Sequence, residues 1–232
     1  MLFRSCIRNS HPDRNALASW FGPNYLAEEL IYDAIDQAIA MGYRGRVCLA
    51  QYNEPTMDER LPRIAHRVRS YSDLDTVHMN TNGDLITPKL AAELDGAFDY
   101  INVSLYMKDP IKSERAAWLP TLFKETEIRM VTDRPHMPTH FTPAYDLEGL
   151  IKIAQGMSCN LTGRAIINHR RQYLLCCDDV IGNFDLGAFP EISIKDYWVG
   201  IRQKIANDLS RAGGRASYPY CMSCPKGAPW AS

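Results

Sequence analysis

From residue 24 to residue 132 the chain alternates between two hydrophobic periods, and this alternation restricts its fold more than any other feature. After Pro23, the residues Leu26, Leu30, Ile31, Ala34, Ile35, Ala38 and Ile39 recur at helical steps on one face, and Gly42 closes the run. Arg46 to Tyr52 then reads as a short buried strand ending in Asn53-Glu54-Pro55. Helical spacing returns from Asp58 to Ser70 through Leu61, Ile64, Ala65 and Val68, with Pro62 in the first turn, where proline is tolerated. The unit repeats: a strand from Thr76 to Asn80 ends in Thr81-Asn82-Gly83, and Thr87-Pro88 opens a helix through Leu90, Ala91 and Leu94. A strand over Tyr100 to Leu105, a helix over Pro110 to Trp118 and a strand over Glu127 to Thr132 complete the series.

Strands separated by helices imply an α/β fold whose parallel sheet has helical crossovers, either an open doubly wound sheet or part of a barrel. In both, ligands bind at the carboxyl ends of the strands. Asn53-Glu54-Pro55, Thr81-Asn82-Gly83 and Ser104 fall on that rim. Any one such loop is explained by turn formation alone; three together favour a binding edge.

The last third is different. Residues 133–145 hold His136 and His140 in a proline-broken loop, read as solvated, and a helix is expected over 146–156. Beyond a boundary at 156/157, Arg164-Ala165-Ile166-Ile167 and Gln172-Tyr173-Leu174-Leu175 read as a hairpin. Ser193 opens a helix with Asp196 in capping-box position, and Ile194, Trp198, Ile201, Ile205 and Leu209 share a face that Gly213-Gly214 ends. Arg170-Arg171 and the basic residues from Arg202 to Arg215 read as a solvated face.

This segment also holds Cys159, Cys176-Cys177 and Cys221-Met222-Ser223-Cys224. A Cys-x-x-Cys step with two more thiolates arriving from earlier segments suits a four-sulfur metal site. The N-terminus has no secretory leader pattern, and seven cysteines, an odd number, do not make a disulfide scaffold, so a reducing cytoplasm is the expected compartment. Iron-sulfur, zinc and unligated core thiols all remain open on spacing, although a zinc ribbon ordinarily pairs two Cys-x-x-Cys knuckles and one is present. Composition excludes other classes. The 26 basic residues against 27 acidic ones leave no excess positive charge for nucleic acid or anionic lipid, and no apolar stretch approaches the ~20 residues that span a bilayer. Gly-rich phosphate loops and a Ser-His-Asp signature are absent.

With these residues in view, the chain resembles radical S-adenosylmethionine enzymes with a C-terminal SPASM or shorter twitch auxiliary domain. Gln51-Tyr52-Asn53-Glu54-Pro55 is similar to the family's Gly-Gly-Glu-Pro loop, Thr81-Asn82-Gly83 to its Thr-Asn-Gly segment, and Asn102-Val103-Ser104-Leu105 to its Val-Ser-Leu strand. Cys159, Arg171 and Cys176 follow the pattern Cys...Gly-x4-Cys, with arginine at the glycine position. Cys177-Asp178-Asp179, Leu186-Gly187 and Ser193-Ile194-Lys195-Asp196-Tyr197-Trp198 resemble later family stretches.

The resemblance implies a partial (β/α) TIM-type barrel over residues 1–156 and a SPASM/twitch-like module of hairpin, helix and Cys-rich tail over residues 157–232. It implies S-adenosylmethionine at Asn53, Glu54, Asn82 and Ser104, with Glu54 accepting from the methionine amino group. It also implies one auxiliary [4Fe-4S] cluster on Cys159, Cys176, Cys221 and Cys224, with Cys176 preferred to Cys177, and Tyr218, Tyr220 and Trp230 covering it. The substrate class is a peptide or a small molecule. The family's reductive chemistry needs a Cys-x3-Cys-x-x-Cys loop after the first strand, and here only Cys6 stands in that region, with Phe3 where a second cysteine belongs. Either a truncated reading or a degenerate relative is therefore expected, and the 232-residue chain is expected not to cleave S-adenosylmethionine. The rival reading is a non-catalytic binding protein with a structural cluster or zinc.

Overall fold

The structure is a computed structural model that describes residues 25–50, 53–105, 111–131, 151–152, 156–159, 163–177, 179 and 182–224. The loop with His136 and His140, most of the helix expected over 146–156, Cys6 and Trp230 lie outside these residues. The described chain divides into two compact units, one from Ala38 onward through β4, the other built from the residues before it and those from 151 onward.

The first unit is a four-stranded parallel sheet in the order β1 (Arg46–Cys48), β2 (Thr76–Thr81), β3 (Tyr100–Val103), β4 (Glu127–Met130). Sequential order with parallel pairing requires a crossover between each pair, supplied by α2 (Leu61–Arg69), α3 (Pro88–Leu94) and α4 (Ile111–Trp118). α1 (Glu28–Ala40) precedes them, and Gly42, at φ 88°, turns the chain out of it. Local chemistry sets the helix starts: Pro62 sits in the first turn of α2, and Thr87 Oγ1 accepts from Leu90 N at the start of α3.

The two faces of the sheet differ. Val77, Met79, Thr81, Ile101 and Val103 are buried on one, as are Leu61, Ile64, Ala65 and Val68 of α2 and Ala91 and Leu94 of α3. The other carries Cys48, His78, Asn80, Tyr100, Asn102, Glu127 and Arg129, all exposed or half-buried. Parallel strands covered on both faces read as continuous apolar runs, whereas these alternate. Such alternation is the pattern of a sheet with helices outside and a polar concavity inside.

Three strands are shorter than expected, among them β4, which stops at Met130 rather than Thr132. β1 stops at Cys48 instead of running to Tyr52, its ladder ending with Leu49 N donating to His78 O. β3 stops at Val103, and Ser104 N makes the last bond, to Thr81 O.

In the second unit the hairpin is minimal, one antiparallel bridge between Ile167 and Tyr173 flanked by Leu174 N to Ile166 O and Asn168 N to Gln172 O. Ser193 caps α5 (Ile194–Asp196) as expected, its Oγ accepting from Asp196 N at 3.1 Å. A π-helical turn over Tyr197–Arg202 then leads into α6 (Gln203–Leu209). That wider turn shifts the helix face: the buried residues are Ile194, Tyr197, Arg202, Ile205 and Leu209, so Tyr197 takes the place expected for Trp198. Trp198 is half-buried beneath the Arg202 guanidinium, 3.8 Å from its ring centre. Tyr197 stacks on Tyr173 with ring centres 3.9 Å apart. Gly213, at φ 79°, precedes the turn that leads to α7 (Pro219–Met222). Among the described residues no helix is long and apolar enough to cross a membrane.

Candidate functional site

At the carboxyl edge of the sheet, Glu54 ties two strand-end loops together. Its Oε1 accepts from Thr56 N (3.2 Å), Thr56 Oγ1 (2.6 Å) and Thr81 Oγ1 (2.6 Å), and its Oε2 accepts from Asn82 N (2.8 Å). A carboxylate offers about four lone-pair sites, so Glu54 is satisfied within the protein. Asn82 Oδ1 accepts from Asp84 N at 2.8 Å and so shapes the next turn. Ser104 joins the rim through its bond to Thr81 O, and Asn53 is exposed beside Glu54. Asn53, Glu54, Asn82 and Ser104 thus share one rim.

Two residues that sequence reasoning missed hold this rim. Thr81 is buried at the end of β2 and donates to Glu54 while accepting from Gly83 N. Arg115, on α4, reaches the carbonyls of Gly83, Asp84 and Ile86, those to Asp84 and Ile86 at 3.2 and 3.0 Å. The Thr-Asn-Gly triplet pointed to the first; nothing in the amphipathic spacing of α4 pointed to the second. Burial raises the Asp84 carboxyl above its usual range, Arg115 opposes the rise and Glu54 adds to it.

Below the rim, the polar face carries a directional chain of hydrogen bonds. Asn102 Nδ2 donates to Asn80 Oδ1 at 2.9 Å, Asn80 Nδ2 to Cys48 Sγ at 3.6 Å, and Cys48 Sγ to Ala50 O at 3.1 Å. One register step lower, His78 stacks on Tyr100 with ring centres 4.9 Å apart, and Arg129 lies 3.7 Å from the centre of the same Tyr100 ring. Arg129 also pairs with Glu127 at 2.6 Å. Two adjacent strands therefore present amide groups, and a third a thiol, above a floor of flat, stacked side chains, a surface suited to a planar polar ligand.

The candidate thiols belong to the second unit. Cys159 and Cys221 pack against the buried cluster of Leu175, Ile205 and Leu209 beside Tyr218 and Tyr220, and Cys159 N donates to Leu209 O at 2.7 Å. Burial, and after it the thiols of Cys224 and Cys159, push Cys221 up to about 12, with Arg215 acting in the opposite direction. Cys159, Cys221 and Cys224 are thus electrostatic neighbours, while Cys176 bears on Tyr197. Among the described residues no three His, Cys, Asp or Glu side chains already stand as a metal-holding group. The donor type suits a soft metal centre: Cys159 and Cys221 lie against apolar side chains, burial disfavours the free thiolate at Cys221, and a bound cation would reverse that preference.

Arg171, at the glycine position of the Cys...Gly-x4-Cys pattern, has φ 69° and is the one non-glycine residue described in the left-handed region. Asn168 Oδ1 stabilises the turn by accepting from Arg170 N and Gln172 N.

No family model and no curated protein matches the chain. Solved structures that it resembles include BtrN in an open conformation, at 17% identity over 88% of this chain and 84% of that one, with a TM-score of 0.62. They also include BtrN in complex with AdoMet and 2-DOIA, at 18% identity over 86% and 80%, with a TM-score of 0.66. The shared feature is the fold, an α/β architecture built around the four-stranded parallel sheet.

Proposed function

We propose that this chain is a radical S-adenosylmethionine-type iron-sulfur protein that binds S-adenosylmethionine on the rim of Asn53, Glu54, Asn82 and Ser104 and one auxiliary [4Fe-4S] cluster in a SPASM/twitch-like module over residues 157–232. The observation that carries the reading is the Glu54 tie between the β1 and β2 loops above a polar sheet face, in a fold shared with a protein solved with AdoMet. Glu54 contributes a fixed negative charge to the rim rather than an open lone pair, because its oxygens already accept four hydrogen bonds. That charge orients a ligand ammonium, and the amides of Asn80 and Asn102 meet polar groups deeper on the face. When bound, the auxiliary cluster supplies an electron acceptor or an anchoring point for substrate. Oxidoreductase or modifying chemistry on a peptide or small molecule follows where a Cys-x3-Cys-x-x-Cys loop also serves the protein.

The same Glu54 geometry supports a second reading. A carboxylate fully used in joining two loops suits a non-catalytic binding protein whose C-terminal module is pinned by a structural cluster or zinc.

Anaerobic purification with iron, sulfide and zinc analysis, EPR of the reduced sample and equilibrium dialysis against S-adenosylmethionine separates the two. About four irons per chain with bound S-adenosylmethionine is the expected result, and about eight would place a second cluster in the protein. One zinc, no iron and no S-adenosylmethionine binding would overturn the first reading in favour of the second.

A further inference from the structure

Arg215 is the most deeply buried cationic side chain described, with 2% of its surface exposed. Among the described residues its guanidinium is within ion-pair distance of no carboxylate. Nη1 donates to Cys224 O at 3.4 Å, Nη2 donates to Ser158 O at 3.5 Å, and the enclosed Nε has no partner. Both bonds are at the long limit for an N–H donor. The other fully buried charge nearby, Asp179, accepts from Leu175 N, Asn183 N and Asn183 Nδ2 and does not pair with Arg215.

A guanidinium enclosed this way is unfavourable unless a negative charge sits beside it. The backbone oxygens it does reach identify where that charge would be: one belongs to Cys224, the other to the residue preceding Cys159. Neutral thiols do not compensate a buried cation. Thiolates on a metal do, because a four-thiolate iron-sulfur or zinc centre carries net negative charge.

We propose that Arg215 is the built-in counter-charge of a thiolate-bound metal centre at Cys159, Cys221 and Cys224, holding its charge balance without ligating it. The inference rests on the metal reading above, with Cys176 as the fourth thiol. It implies opposite effects in the two states of the protein: removing the guanidinium relieves the metal-free chain and weakens the loaded one.

The test uses the full chain, stripped or loaded anaerobically with ferrous iron and sulfide or with zinc, as wild type, Arg215→Met, Arg215→Gln and Arg215→Lys. EDTA should remove metal roughly tenfold faster from the Met and Gln variants than from wild type, with Lys in between. Metal-free Arg215→Met should melt above metal-free wild type, and a loaded iron-sulfur centre should titrate at a more negative potential in Met and Gln than in Lys. Wild type that takes up neither iron nor zinc would sink the metal reading and this inference with it. Metal-loaded wild type with equal stripping rates in all three variants would overturn the role of Arg215 alone. If the Met variant does not fold, Gln against Lys decides the matter on the same terms.

Discussion

Arg171 illustrates how a residue can be wrong for its backbone and still be retained. A left-handed φ costs an ordinary L-residue about 1 kcal/mol, while its exposed ion pair with Glu191, at 2.8 Å, returns at most a fraction of that. Arg171→Gly should therefore raise stability by about 0.5 kcal/mol, and Arg171→Ala, which keeps the strain and loses the pair, should lower it by a similar amount. Urea midpoints of the two variants should move in opposite directions; parallel shifts would contradict the assignment. The sequence pattern marked this position as one where glycine is usual, and the backbone supplies the reason. Asp95 behaves differently. Burial alone would raise its carboxyl, but donors from Thr126 N, Glu125 N and Lys124 N outweigh burial and hold it below the ordinary carboxylate range. A depressed folded-state value means stability that is present above the unfolded value and lost as pH falls through the folded one. Asp95→Asn should cost about 1 to 2 kcal/mol at neutral pH, and the gap to wild type should close below about pH 4. A gap that persists unchanged at pH 3 would show that the charge is not what matters.

Whole elements were legible wherever period and cap agreed. α1, α2 and α3 show the helical period, with Pro62 in the first turn of α2 and Thr87 at the N-cap of α3. The face of α5 and α6 was not legible, because a π turn adds one residue to a single loop of helix and no local composition signals it. Nor was the Arg115 clamp, which depends on a meeting between α4 and a turn some thirty positions earlier. Gly83 tests that turn. It has φ 73°, and a Cβ there would approach Val103 Cγ1 to 2.8 Å. Gly83→Ala should destabilise by about 1 to 3 kcal/mol in thermal melts, and a change under 0.5 kcal/mol would mean that the turn is not constrained as described.

For the molecule as a whole, the parallel sheet was readable from strand and helix alternation, whereas the sidedness of that sheet came only from register, since Asn80 and Asn102 face each other across two strands. In the second unit the hairpin and the Ser193 cap were readable but the charges were not, because Arg215 looked like one more basic residue in a solvated stretch and is instead enclosed. The polar sheet face leads to the broadest expectation. Asn102→Ala should move the unfolding midpoint by less than about 0.5 kcal/mol, as partly exposed polar positions do, while weakening S-adenosylmethionine binding at least several-fold in dialysis. Unchanged binding would remove the face from the site.

Because Val77, Met79, Ile101 and Val103 hold the sheet from one side while Cys48, Asn80, Tyr100 and Asn102 line the other, successive residues of each strand answer to different demands. Selection for a new ligand can therefore rewrite every second letter of these strands and leave the foldable half of the code untouched.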